Sequence, residues 1–276
     1  MGFARDEDLE WGPEWIEQQI QEGLLGYHNM PPLGVGRVVP EEYFERFGAV
    51  FPESVLYIWR RFGFDGFGQG RSWITDPVEW APVVDAWLEG IELPFPPQRW
   101  HCLTRTALGY MRLWGEISGP ALKVDVIDGT IRPNSNEAED MADPVLVERA
   151  GCMVFVLPLE DLYDDEVTGR PLAVEGIERL GVPGADEVFG FVPPLSFGGR
   201  ISADRLSVQK AVPYLVGLAQ STPRYLGVDL MAAWGGAATQ FLIDQGAIPP
   251  TPDSTGTGTT DGQDGPGASD ESIPET

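Results

Sequence analysis

Apolar residues recur at helical spacing through the first third of the chain and then switch to strict alternation. Val55, Leu56, Trp59 and Phe62 fall on one helical face, with Glu53, Arg60 and Arg61 turned the other way, so a helix is predicted over residues 52–62. Pro52 suits its start, where no amide donor is needed, and Gly63 suits its end. Phe64 to Gly70 alternates aromatic residues and glycine, a sharp bend that returns Phe64 and Phe67 to the core, and Ser72-Trp73-Ile74 reads as a short strand. Asp76 then caps a new turn with Pro77 and Glu79 behind it. Trp80, Val83, Val84, Trp87 and Leu88 continue as a second helical stripe.

Ahead of this stretch, residues 14–23 predict a short helix ended by Gly23 that lays Trp15, Ile16 and Ile20 on the body. Residues 27–40 predict a loop, and residues 40–47 a helix anchored by Phe44 and Phe47. Behind it, Trp100, Cys102 and Thr104 alternate, as do Tyr110, Arg112 and Trp114, then Leu122, Val124 and Val126. With turns at Ala107-Leu108-Gly109 and residues 117–120, an antiparallel meander follows, and Asp128-Gly129 allows a fourth strand over residues 130–133.

The polar stretch 134–143 reads as a surface connection and marks the expected domain boundary. Beyond it we expect a helical turn at 144–149, a buried strand at 152–157 with the start of a buried helix as the alternative, a helix at 171–180 and a strand at 188–191. A helical stretch at 202–218 is expected to kink or restart at Pro213, and a closing helix falls within 225–248. The expected fold class is α+β, with two domains of antiparallel sheet and packed helices over 1–140 and 141–249. The tail 250–276 is acidic, almost without large apolar residues, and expected to be disordered.

Composition sharpens this picture. A 276-residue chain with 42% hydrophobic residues and nine tryptophans can close a substantial core. Its 18 Lys and Arg face 43 Asp and Glu, a formal charge of -25. That sign repels phosphate backbones and anionic lipid and attracts basic partners, so neither nucleic acid nor membrane is an expected partner. Two cysteines imply no disulfide framework, and the acidic N-terminus lacks an apolar leader, so a cytoplasmic location is expected.

Candidate chemistry is sparse. The two histidines are His28, in a glycine-proline loop, and His101, whose neighbour Cys102 points to the opposite face of the same strand and cannot act with it. No HExxH, CxxC or zinc-type spacing occurs, so no catalytic, cofactor-binding or metal-binding residue is expected. Asp125 and Asp128 are spaced for a hairpin turn and not for an aspartate phosphatase loop. Asp164-Asp165-Glu166 lacks the spaced ligands of a calcium loop and reads as an acidic turn. The glycines at 63, 66, 68 and 70 follow a helix and lack any phosphate-loop spacing. Trp11, Trp15, Trp73 and Trp80 sit among acids, as binding anchors or as residues at a domain seam.

Two stretches carry a family resemblance. ESVLYIWRRFGFDGFGQG followed by DPVEWAPVVDAWL resembles the GAD-like domain, and residues 186–220, DEVFGFVPPLSFGGRISADRLSVQKAVPYLVGLAQ, resemble the Tdi-type immunity domain that accompanies it. The resemblance implies a non-enzymatic immunity protein that binds a cognate type VI secretion toxin, a DNase, and carries no catalytic signature. Acidic mimicry of DNA would then be the means of inhibition. Loop positions expected to touch the toxin are Asp65, Trp73, Asp76 and Trp80 around the glycine-rich bend, with Asp164, Asp165 and Glu166 in the second domain. The competing readings are a carboxylate- or metal-dependent hydrolase built on Asp125, Asp128, Asp164 or Asp165, and a ligand-binding adaptor.

Overall fold

A computed structural model describes residues 12–156 and 163–229. Trp11, the tail 250–276 and the expected closing helix beyond residue 229 lie outside the described residues.

Helix α1 spans Pro13–Gln19 and runs directly into a π-helix, Ile20–Tyr27. The expected stop at Gly23 does not occur, because Ile20 and Leu24 are both buried in one core and the wider turn keeps them there; the His28 amide donates to the Gly23 carbonyl at 2.9 Å. Helices α2 (Glu41–Phe47) and α3 (Glu53–Phe62) follow as expected. Trp59 of α3 is 1% exposed and takes edge contacts from Phe47, Phe51 and Phe64 at 5.4 to 5.8 Å. Gly63 ends α3 at φ +65°, and a Cβ there would meet the Arg37 carbonyl at 2.4 Å, so the position admits only glycine.

The main sheet has seven strands among the described residues: β1 (Gly66–Phe67), β2 (Ser72–Ile74), β3 (Trp100–Thr106), β4 (Met111–Gly115), β5 (Gly119–Asp125) and β6 (Thr130–Pro133) in sequential antiparallel order, then β9 (Tyr225–Leu226) parallel to β6. The expected meander is therefore observed. One face, with Leu103 and Trp114, closes the Trp59 core under α3. The other, with Cys102, Met111, Leu113, Leu122 and Val124, packs on α4 (Ala81–Leu88) and α8 (Ala211–Ser221).

In the run expected as a strand at 152–157, residues 152–156 instead lie in helix α6, Pro144–Val156, and residue 157 is outside the described residues. Asp143 caps its first turn by accepting from the Val145 amide at 2.9 Å, and the apolar positions extend back through Leu146 and Ala150, which a six-residue window could not show. Cys152, Val154 and Phe155 are buried in the Trp59 core, and Glu148 accepts from the Glu53 and Ser54 amides at the start of α3. The polar connection before it contains a short helix, α5 (Ser135–Glu139), capped by Asn134.

Helix α7 (Leu172–Leu180) and strand β7 (Glu187–Phe191) match expectation. The helix expected over 202–218 divides: β8 (Leu206–Lys210) pairs antiparallel with β7, and α8 begins only at Ala211. Leu206 and Val208 obey the period of two, and Pro213 sits in the first turn of α8, where its missing amide costs no hydrogen bond. Tyr225 and Leu226, assigned by sequence to the closing helix, form β9.

Candidate partner-binding surface

The glycine-rich bend and the loop before it form one device. Asp65 is 3% exposed, and its carboxylate accepts from the Gly34, Val35 and Gly66 amides at 2.8 to 3.1 Å. Asp76 is equally buried; it accepts from Arg37 Nη2 at 2.7 Å, Tyr43 OH at 3.2 Å and the Val78 amide at 2.9 Å. These carboxylates thus hold residues 34–37 from below, with the Phe64 amide donating to the Arg37 carbonyl at 2.9 Å. Above them the chain presents Tyr27, Val35 and Val38, the last 82% exposed, and the exposed Glu41, Glu42 and Glu45 of α2 follow at once.

Beside α2 lies a groove of about 760 Å³ whose walls include Phe47, Val84, Leu88, Leu93, Phe95 and Trp100. Asp85, Glu89 and Glu92 line it, together with Arg46 and Arg99. His101 reaches Glu116 Oε1 at 3.1 Å; its burial, helped by Arg46 and Arg99 and opposed by Glu116, pushes the imidazole pKa below its ordinary value.

Trp73 and Trp80 are buried, and the Arg105 guanidinium lies over both rings at 5.3 and 5.7 Å. Arg105 is 1% exposed and donates to the Gly184 and Ala185 carbonyls at 2.9 and 3.0 Å; burial draws its pKa down to about 9. The tryptophans therefore stand where the β2–β3 region meets the 184–187 turn. Asp165, 2% exposed, accepts from the Val167, Thr168 and Ala203 amides and from Ser202 Oγ, and these donors hold its carboxyl well below the usual range. Asp164 and Glu166 are exposed. The expectation that the acidic loop positions face solvent is thus corrected for Asp65, Asp76 and Asp165, whose carboxylates turn inward to satisfy amides, while of the two readings of Trp73 and Trp80 their burial against Arg105 fits residues at a seam and not exposed anchors.

The bases of the described residues are largely engaged within the protein. Arg37, Arg60, Arg132, Arg170 and Lys210 face carboxylates, while Arg105, Arg112, Arg179, Arg205 and Arg224 donate to backbone carbonyls. The surplus of acid is left on the surface. Among the described residues no group of three or more His, Cys, Asp and Glu side chains is placed to hold a metal, and no helix is long and apolar enough to cross a membrane.

Residues 25–128 match the model of the GAD-like domain, and residues 154–221 match that of the C-terminal domain of the type VI secretion immunity protein Tdi1. The chain thus carries a GAD-like domain followed by a Tdi1-type C-terminal immunity domain. Its role is immunity, and the partner that the family implies is a cognate toxin. The crystal structure of Atu4351 from Agrobacterium tumefaciens shares the fold, with a TM-score of 0.56 at 19% identity over 71% of this chain and 86% of that one. No curated protein matches in sequence.

Within this immunity protein, Val35, Val38 and the acids of α2 were not singled out by sequence. The available signal was β-branched residues, Val35-Gly36-Arg37-Val38-Val39, in a Gly- and Pro-rich loop that no periodicity commits to a core. Val39 alone of the three is buried.

Proposed function

We propose that this immunity protein protects the producing cell by binding a nuclease toxin in the cytoplasm and opposing its DNA-binding groove with exposed carboxylates. The observation that carries this reading is the acidic, partly apolar surface of residues 27–47, held rigid from beneath by Asp65 and Asp76. A nuclease needs a basic groove for phosphate, and Glu41, Glu42 and Glu45 offer it carboxylates while Val35 and Val38 offer apolar area to bury. Asp164 and Glu166, on the second family segment, are further exposed carboxylates.

The protein acts by binding and not by catalysis. Of the four hydrolase candidates, Asp125 is bound by Arg132 Nη1 at 2.8 Å, Tyr163 OH at 2.9 Å and the Ile127 amide at 3.1 Å, Asp128 is paired with Arg132 Nη2, and Asp165 is saturated with donors, so these three carboxylates are engaged within the protein. The test is cleavage of plasmid DNA by the purified toxin domain. Equimolar wild-type protein is expected to abolish cleavage, and the Glu41→Gln/Glu42→Gln/Glu45→Gln variant to need at least tenfold more. Equal protection by the two proteins would overturn the assignment of this surface, and a toxin without nuclease activity would overturn the choice of target.

A further inference from the structure

The groove of about 760 Å³ beside α2 carries unpartnered charge of both signs. Arg46, whose guanidinium lies over the Phe47 ring at 5.0 Å, and Arg99 are the bases of the described residues whose side chains form neither an ion pair nor a hydrogen bond, and both line this groove. Asp85, Glu89 and Glu92 line it too, all exposed and all without an ion pair among the described residues. The two signs thus share one groove without reaching each other. Arg46 and Arg99 both bear electrostatically on His101, which puts the guanidiniums at the β3 end. Asp85 and Glu89 stand four residues apart, on α4 and at its C-cap, with Glu92 just beyond, which puts the carboxylates along the α4 side.

The wall also presents Leu88, Leu93, Phe95 and Trp100, all half-buried, and the Phe95 and Trp100 rings meet at 5.6 Å. Half-buried rings beside charges that lack partners offer area to bury and groups that fix orientation, the two things a docked segment needs. The groove is continuous with the surface assigned to the toxin. Glu42 stands one turn before Arg46 on α2, and Asp76 accepts both from Arg37 Nη2 at 2.7 Å, in the assigned loop, and from the Val78 amide at 2.9 Å, on the groove rim. A toxin seated on residues 27–47 therefore reaches the groove without a second interface.

We propose that a segment of the toxin docks in this groove, placing a large apolar side chain against Phe95 and Trp100, a Lys or Arg toward Asp85, Glu89 and Glu92, and an Asp or Glu toward Arg46 and Arg99. This inference rests on the toxin-binding reading above and adds to it. The carboxylates of α2 speed encounter, whereas the groove, where apolar area is buried and opposite charges meet at contact distance, sets how long the complex lasts. The two signs also select the segment: a uniformly basic one is repelled by Arg46 and Arg99, so the groove favours a segment of mixed charge.

The experiment is association and dissociation of the purified toxin domain and the full chain at 500 mM salt, where steering is screened to about 4 Å and contact effects remain. Phe95→Ala is expected to dissociate at least tenfold faster, with association changed less than twofold. Arg99→Glu and the Glu89→Lys/Glu92→Lys pair are each expected to dissociate at least threefold faster. These charge reversals lie at exposed positions and carry the test even where melting shows that Phe95→Ala is unfolded. Wild-type dissociation of a folded Phe95→Ala, or of both charge reversals, would overturn the proposal. Slower dissociation of Arg99→Glu would overturn it in favour of a uniformly basic occupant. The Glu41→Gln/Glu42→Gln/Glu45→Gln variant separates this inference from the reading it rests on. Wild-type association of that variant at every salt concentration, beside fast dissociation of the groove variants, sinks the α2 assignment and supports the groove; the reverse sinks the groove alone.

Discussion

The two family segments of this protein differ in how they hold themselves together. In the first, Trp59 sits among Phe47, Phe51 and Phe64, and the core is closed by the chain's own helices on one face of a long sheet. In the second, a two-stranded sheet and α7 enclose a smaller set, Leu172, Ala173, Phe189 and Leu206, that is completed by Ala107 and Leu108 of the first. The Phe189 amide donates to the Ala107 carbonyl, Trp87 Nε1 donates to the Leu215 carbonyl, and Arg105 holds the 184–185 carbonyls. A two-stranded sheet is marginal by itself, so the second segment borrows its stability across this seam. The first leans on the second in turn, through α8 over one face of its sheet and through Val154 and Phe155 in the Trp59 core.

That difference predicts a graded set of outcomes. Trp59→Ala removes one of the two fully buried indoles of the first core and is expected to cost about 3 to 5 kcal/mol in denaturant unfolding, with both segments lost in one transition. A second segment that stayed folded in this variant would break the comparison. Asp65→Ala strands the Gly34 and Val35 amides in a buried site and is expected to cost about 2 to 3 kcal/mol, while toxin affinity falls further than stability explains because the 34–37 loop is released. Stability of this variant by denaturant titration, set beside its toxin Kd, separates the two effects.

Trp87→Phe deletes one hydrogen bond across the seam and some buried area, for a cost of about 1 to 2 kcal/mol. Hydrogen exchange is expected to quicken most in α8 and β8, which lose the bond, and less in β3 to β5, which share only the packing; equal quickening throughout would contradict this order. The smallest effect concerns pH. Burial lowers the His101 pKa, so the folded state binds fewer protons than the unfolded chain; its contribution is full above the ordinary histidine value of about 6.5 and is lost as pH falls below it. Between pH 6.5 and 5.5 this amounts to no more than about 1 kcal/mol, and melting of His101→Gln over that range is expected to be flatter than wild type.

Much of the first segment was legible because its elements are long enough to show a period. The Val55, Leu56, Trp59, Phe62 spacing and the alternation around Cys102 and Leu122 each decide between helix and strand locally. Residues 152–157 and 202–218 were misread because there the deciding information is tertiary: α6 continues an apolar face that begins before the run, and Leu206 to Lys210 become a strand only because β7 lies beside them. The site divided in the same way. Sequence found the acidic glycine-rich bend, yet it could not tell that Asp65 and Asp76 face inward, because a carboxylate in a turn serves amides or solvent equally well until the neighbouring loop is placed. Exposure passed instead to Val35, Val38 and α2.

The account's central claim is that carboxylates on residues 27–47 meet a basic toxin surface. It is tested most directly by the association rate of the isolated pair between 50 and 500 mM salt, measured for wild type and for the Glu41→Gln/Glu42→Gln/Glu45→Gln variant. Screening shortens from about 14 Å to about 4 Å over that range, so the wild-type rate is expected to fall at least tenfold with salt while the variant starts slower and responds less. Rates that coincide for the two proteins at every salt concentration would contradict the claim and place the toxin elsewhere on the molecule.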